Sequence, residues 1–172
     1  MPHNIKKILI KKNVLERKIR SLADRISRDY RKKNLVLVCV LKGAVVFLSE
    51  LIKNLSIQFT LDFIQVGSYG KKKIPGKITL KKDIEENVKN KHVLIIEDII
   101  DTGRTLAYIF KLIKKKRPKS IRICSLLDKP SRHEVKVTAD YLGFNVPNRF
   151  IVGYGIDYNE KFRNLPYIAA VD

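Results

Sequence analysis

Three carboxylates, Glu97, Asp98 and Asp101, fall within five positions, directly after the apolar run His92-Val-Leu-Ile-Ile96 and directly before Thr102, Gly103, Arg104 and Thr105. These residue types point to two kinds of recognition at once. A Thr-Gly-x-Thr turn opening a helix offers free backbone N–H groups, a positive dipole end and two hydroxyls, which suit a phosphate. Gly103 lets that backbone approach its ligand closely. One anion–dipole contact is worth only about 0.3–1 kcal/mol at an exposed site, so several donors must act together. The carboxylates would repel a phosphate bound alone. They imply a second ligand group beside it: ribose hydroxyls, magnesium, or both. Helix capping accounts for Asp101 or Thr102, but not for three acids after an apolar strand.

The elements that must position this turn are legible from periodicity. Asn13 and Glu16 give a helix-start signal, and Leu15, Ile19, Leu22, Ile26 and Tyr30 recur at helical spacing, predicting an amphipathic helix over 14–32. Leu35 to Leu41 is continuously apolar, like a strand buried on both faces. Gly43 breaks it, and Leu48, Leu51, Ile52 and Leu55 predict a second helix. Residues 57–66 alternate as a strand, with Gln58, Thr60 and Asp62 as the polar set. Gly67 to Gly76 reads as a mobile loop, Lys77 to Lys82 as its return strand, and His92 to Glu97 and Ile121 to Leu127 as further buried strands. A helix is expected from Thr105, with Leu106, Ile109, Phe110 and Ile113 on one face. Alternating strands and helices predict an α/β fold with a mostly parallel central sheet flanked by helices. From Lys129 the pattern turns short and turn-rich. The chain therefore reads as a single domain, with a core of about 1–128 and a small C-terminal hood of about 129–172.

Composition narrows the function classes. The longest apolar run is far too short to span a membrane, and the start of the chain lacks a signal-peptide apolar region, so a cytoplasmic protein with no membrane partner is expected. Cys39 and Cys124 sit inside apolar runs with no Cys-x-x-Cys pair, and read as buried thiols rather than zinc ligands or a disulfide. The 36 basic against 17 acidic residues give a net charge of +19. That field favours anions. The basic runs at Arg31–Lys33, Lys71–Lys73 and Lys114–Arg117 look scattered, however, and no stripe of stacking aromatics accompanies them. Nucleic acid is accordingly not expected as a partner.

The stretch from His92 to Thr105 closely resembles the phosphoribosyl pyrophosphate (PRPP) signature of the type I phosphoribosyltransferases: apolar strand, two acids, two apolar residues, Asp-Thr-Gly-x-Thr. The resemblance covers nearly the whole chain and is strongest to the hypoxanthine-guanine branch of that family. Leu41-Lys42-Gly43, Ser68-Tyr69-Gly70, Leu127-Asp128-Lys129-Pro130, Arg149 to Asp157 and Asp157 to Pro166 carry the closer match. Arg104 stands where relatives have lysine or a polar residue, a small departure.

The resemblance implies a type I phosphoribosyltransferase fold and a Mg2+-dependent purine-salvage reaction, in which the 5-phosphoribosyl group of PRPP is transferred to N9 of hypoxanthine, and of guanine as well. Glu97 and Asp98 would hold the ribose and magnesium, with Asp157 as a third metal-associated carboxylate. Asp101, Thr102, Gly103, Arg104 and Thr105 would hold the 5′-phosphate. Lys42 and Gly43, in a loop with a non-proline cis peptide, would bind pyrophosphate together with Ser68, Tyr69 and Arg163. Lys129 would donate to the purine 6-oxo group, Phe150 would stack on the base, and Ile151 would offer backbone groups to its pyrimidine edge. Asp101 would be the general base at N7. The family also implies a homo-oligomer, dimer or tetramer. Two other readings stay open: a nucleic-acid-binding regulator that keeps the PRPP site as a sensor, which the charge favours and the purine set of Lys129, Phe150 and Asp157 opposes; and an enzyme of the same class acting on xanthine or a pyrimidine.

Overall fold

A computed structural model describes residues 5–68 and 78–171 of the chain. The strands are β1 (Ile5–Ile10), β2 (Leu35–Leu41), β3 (Thr60–Ser68), β4 (Ile78–Lys82), β5 (His92–Ile100), β6 (Ser120–Asp128), β7 (Tyr141–Asn145), β8 (Phe150–Val152) and β9 (Ile168–Val171). The helices are α1 (Lys12–Asp29), α2 (Val45–Asn54) and α3 (Arg104–Lys115), with one 3-10 turn at Pro130–Arg132. A six-stranded sheet runs in the order β4-β3-β2-β5-β6-β7, and β1-β9-β8 form a second, three-stranded sheet. All pairs of the large sheet are parallel except β3 with β4, which returns antiparallel as the sequence predicts. No described helix is long and apolar enough to cross a membrane.

The central strands read as continuous apolar runs because both faces are covered. Along β2, Leu35, Leu37 and Cys39 pack with α1 and α2, whereas Val36, Val38 and Val40 pack with α3. The α1 stripe of Leu15, Ile19, Leu22 and Ile26 and the α3 stripe of Leu106, Ile109 and Ile113 are buried as expected. Both cysteines are free and buried. Burial, with Glu97 and Asp98 nearby, pushes the Cys39 thiol up to about 12.

Four features differ from the sequence reading, each for a physical reason. Helix α1 begins at Lys12, not at an Asn13 cap, because it leaves the end of β1 directly and extended Lys11 occupies the cap position. Strand β1, Ile-Lys-Lys-Ile-Leu-Ile, is short and lacks the alternation that would announce a strand, and its pairing with β9 comes from the far end of the chain. The hood boundary at residue 129 is crossed twice: β1 contributes to the hood's sheet, and β7 joins the core sheet beside β6. Asp62, one of the polar set of its alternating strand, is buried. Its carboxylate accepts the amides of Phe63, Glu85 and Glu86 at 2.6, 2.7 and 2.7 Å, fastening the loop after β4 to β3. Residues 69–77, and Tyr69 among them, lie outside the described residues.

Removing the Asp62 carboxylate leaves three amide donors unmatched under the loop. Asp62→Ala is expected to lower unfolding stability by about 2–4 kcal/mol, read as a shifted urea midpoint at unchanged slope.

Candidate active site

Parallel strands bring their carboxyl ends to one edge of a sheet, and ligands of open α/β sheets bind there. Here the ends of β2, β3 and β5 and the start of α3 surround a cavity of about 420 Å³. Lys42, Gly43, Glu97, Asp98, Thr105, Asp157, Glu160 and Arg163 all line it. Residues from three well-separated stretches of the chain therefore meet at one site. Ser68 ends β3 at the same edge, beside Gly67 of the cavity wall. The peptide Leu41-Lys42 is cis, as the resemblance implies.

Glu97 and Asp98 are the least compensated charges in the site. Glu97 is buried, and burial followed by repulsion from Asp98 raises its carboxyl well above the ordinary range. Burial also raises Asp98, against the lowering effect of its hydrogen bonds with Glu97 and the Ile99 amide. Gly43 makes room for this pair: a Cβ there would lie 1.8 Å from Oδ2 of Asp98, so any other residue would push the carboxylate away. Two hard-oxygen donors short of cationic partners suit a divalent cation. Magnesium commonly takes one or two carboxylates and completes its shell with substrate phosphates and water. Among the described residues no group of three or more His, Cys, Asp or Glu side chains forms a metal cage. Asp157 differs from Glu97 and Asp98. Its Oδ1 lies 2.8 Å from Arg163 and its Oδ2 accepts the Glu160 amide at 2.8 Å, so it braces the turn that carries those residues.

Between β5 and α3 lies the phosphate turn. Gly103 adopts φ +80° as the helix cap, and a Cβ there would come 2.8 Å from the Val135 carbonyl. The Thr102 carbonyl accepts from Glu134 and Val135, which pins the outer side of the turn. Among the described residues the amides of Thr102 and Gly103 donate to no protein acceptor, as an anion cradle requires. The Arg104 amide reaches Thr102 Oγ1 at 3.4 Å, and its guanidinium pairs with Glu134 on the exposed side.

Asp101 does not line the cavity of the other carboxylates. It faces Lys129 at the end of β6, whose Nζ is 3.3 Å from Oδ2, and Arg132 of the 3-10 turn, whose Nε donates to Oδ1 at 2.9 Å. Partial burial works to raise the Asp101 carboxyl, but the Arg132 hydrogen bond and the Lys129 charge outweigh it and hold the group below its ordinary range. Lys129 is itself buried, and its amide donates to Ile100, so the two strand ends are tied together. Phe150 opens β8 with 64 % of its surface exposed, meeting Tyr158 edge-on at 5.8 Å between centroids. Ile151, buried, pairs with Ala170 in the small sheet.

Two site residues received no role from the sequence. Arg132 stands three positions beyond Lys129, in the turn begun by Pro130, and only the fold shows that it grips Asp101. Glu160 bridges Lys42 at 3.4 Å and Arg163 at 3.0 Å. It holds together the two cations that the resemblance assigns to pyrophosphate.

Residues 6–159 match the family model described as the phosphoribosyl transferase domain. The hypoxanthine-guanine phosphoribosyltransferase of Streptococcus thermophilus is 45% identical over 169 residues, which are 98% of this chain and 94% of that protein. The bifunctional protein TilS/HprT of Listeria monocytogenes is 46% identical over 169 residues, yet this chain spans only 26% of its length. The crystal structure of a hypoxanthine-guanine phosphoribosyltransferase from Bacillus anthracis superposes with a TM-score of 0.91 at 45% identity, covering 98% of each chain.

The raised Glu97 carboxyl makes a signed prediction. Its stabilising contribution is full below the ordinary glutamate range and is lost as pH rises through the raised value. Glu97→Gln is therefore expected to melt higher than the parent at neutral pH, by a few degrees at about 2–4 °C per kcal/mol. The gap should close in acid, as followed by thermal melts of ligand-free protein from pH 4 to 8.

Proposed function

The chain belongs to the phosphoribosyl transferase domain family, and on that footing we propose that it transfers the 5-phosphoribosyl group of PRPP to N9 of hypoxanthine or guanine, releasing pyrophosphate. One observation carries the choice of base: Lys129 Nζ lies 3.3 Å from the Asp101 carboxylate. A 6-oxopurine presents its O6 acceptor beside N7. When N7 carries the proton, that edge reads acceptor, then donor. A buried ammonium beside a carboxylate matches it in order. Adenine, with an amino donor in place of O6, would set donor against donor and leave the buried ammonium unmatched. The names of the relatives support the same substrate class.

The remaining roles follow from position. The 5′-phosphate would sit on the free amides of Thr102 and Gly103, with Thr105 at the helix start. Glu97 and Asp98 would hold the ribose hydroxyls and magnesium, the latter supplying positive charge to the pyrophosphate. As the C1′–oxygen bond to pyrophosphate breaks, positive charge develops on the ribose, and the same carboxylates favour it. Purine N9 forms the new bond to C1′ while Asp101 accepts the proton from N7. Lys42 and Arg163 meet the departing pyrophosphate after exchanging their contacts with Glu160. Phe150 would stack on the base, and the segment around Ser68 and Tyr69 would exclude water. The reaction fits a cytoplasmic enzyme. A dimer or tetramer is the expected assembly, and the exposed Val45 and Val46 of α2 supply an apolar contact for it.

A panel of hypoxanthine, guanine, xanthine, adenine and uracil, each with PRPP and Mg2+, tests this reading: turnover with the 6-oxopurines and none with adenine or uracil is expected, and adenine turnover at a comparable rate overturns it. Asp101→Asn should retain PRPP binding while lowering kcat by about 10²–10⁴-fold. Arg132→Gln separates the base from its clamp. A base must be ionised, so activity falls as pH drops through its pKa. Removing Arg132 raises that pKa, and the acid limb of the kcat/KM profile should move to higher pH, while an unmoved limb would show that Arg132 does not tune the base.

A further inference from the structure

A second cavity, of about 840 Å³, runs along the solvent side of α1 and shares no residue with the transferase cavity. Arg17, Arg20 and Arg28 of α1 line it, as does Arg31 in the turn that follows; Asp24 is the one carboxylate among its lining residues. At about 100° per residue Arg17, Arg20 and Arg28 fall within about 80° of one face of the helix, and at about 1.5 Å per residue they span about 16 Å, with Arg31 just beyond the helix end. All four side chains are exposed. Among the described residues none of them pairs with a carboxylate, whereas Lys12, Lys53 and Arg122 nearby do. The groove continues past Ile57 into another, lined by Lys32, Lys33 and Lys91. Of the basic runs that look scattered along the sequence, Arg31–Lys33 is thus joined to the α1 arginines by the helix and the turn after it.

We propose that this row is a docking site for the phosphodiester backbone of nucleic acid, separate from the transferase site. Guanidinium forks match phosphate oxygens in pairs, and a row of about 16 Å along the helix, extended by Arg31, exceeds what one phosphate or nucleotide would occupy. A membrane surface fits less well. An interfacial helix inserts an apolar face, and the apolar face of α1 is consumed by the core through Leu15, Ile19, Leu22 and Ile26. No aromatic side chain lines the arginine-bearing part of the groove, and of the two in its continuation, Tyr30 and Phe59, Tyr30 is buried, so recognition along the row is of the backbone, independent of sequence.

The test is fluorescence anisotropy of the full chain with a labelled 20-nucleotide RNA, single-stranded and as a duplex. Four phosphate contacts predict a slope of log K against log salt of about −3. The variant Arg17→Gln/Arg20→Gln/Arg28→Gln/Arg31→Gln should weaken binding by about 10-fold or more at 0.1 M salt, and the Arg17→Gln/Arg20→Gln pair by a smaller, measurable factor should the quadruple variant lose its helical signal. A control removing the same charge elsewhere, Lys111→Gln/Lys114→Gln/Lys115→Gln/Lys136→Gln, should change it little. Saturating PRPP should not displace the RNA. Equal losses in both quadruple variants, displacement by PRPP, or tighter binding to phosphatidylserine vesicles or polyglutamate than to RNA would each overturn the proposal. Phosphoribosyl transfer by the same variants reads the other site, so failure of one reading is distinguishable from failure of the other.

Discussion

Two adjacent carboxylates are held near the end of β5, after four fully buried residues, and among the described residues no cation lies within salt-bridge distance of either. Burial disfavours both charges, and each raises the cost of the other. In the proposed reaction, magnesium and the ribose hydroxyls would supply what the protein withholds from this pair. Much of the surrounding structure serves that arrangement. The backbone at Gly43 passes so close to Asp98 that no side chain fits between them, and Arg163, whose charge reaches Asp98, is braced by Asp157 and Glu160. Cys39, on the strand beside them, feels the same two charges and stays a thiol.

Asp101 is the opposite case within the same loop. Three residues beyond Asp98 it gains two cations, and its carboxyl is pushed below the ordinary range instead of above it. Environment thus separates acids that the sequence presents as a cluster. The uncompensated pair has the chemistry to take a metal and a sugar, and the compensated one is held ionised, as the proposed proton acceptor must be.

The cations of the site show a matching economy. Lys42 and Arg163 share Glu160, and Lys129 and Arg132 share Asp101. Each set is satisfied internally without substrate, so none is left as an unpaired charge. The contacts of Glu160 are exposed, where ion pairs are worth little, so in the proposed reaction a pyrophosphate would replace them at small cost, whereas buried Lys129 would need the purine edge to keep it matched.

Local chemistry made much of this legible in the sequence. An apolar run covered on both faces, an amphipathic stripe and a Thr-Gly-x-Thr turn are each decided by neighbours within a few residues, so β2, β5, α1, α3 and the phosphate turn could be read directly. The placement of Glu97 and Asp98 at the cavity could be anticipated because three acids after an apolar strand exceed what a helix cap requires. Contacts between distant stretches could not be read. Strand β1 finds its partner only at β9, Asp62 is buried because a loop some twenty residues later offers it amides, and Arg132 and Glu160 acquire roles only from what the fold sets opposite them. The α1 arginines, dispersed in the linear chain, become a row only through helical geometry and the absence of facing acids. Sequence specifies local propensity; the partner of a charge is set by packing among segments far apart in the chain, and that partner decides whether the charge is structural, catalytic or free to bind.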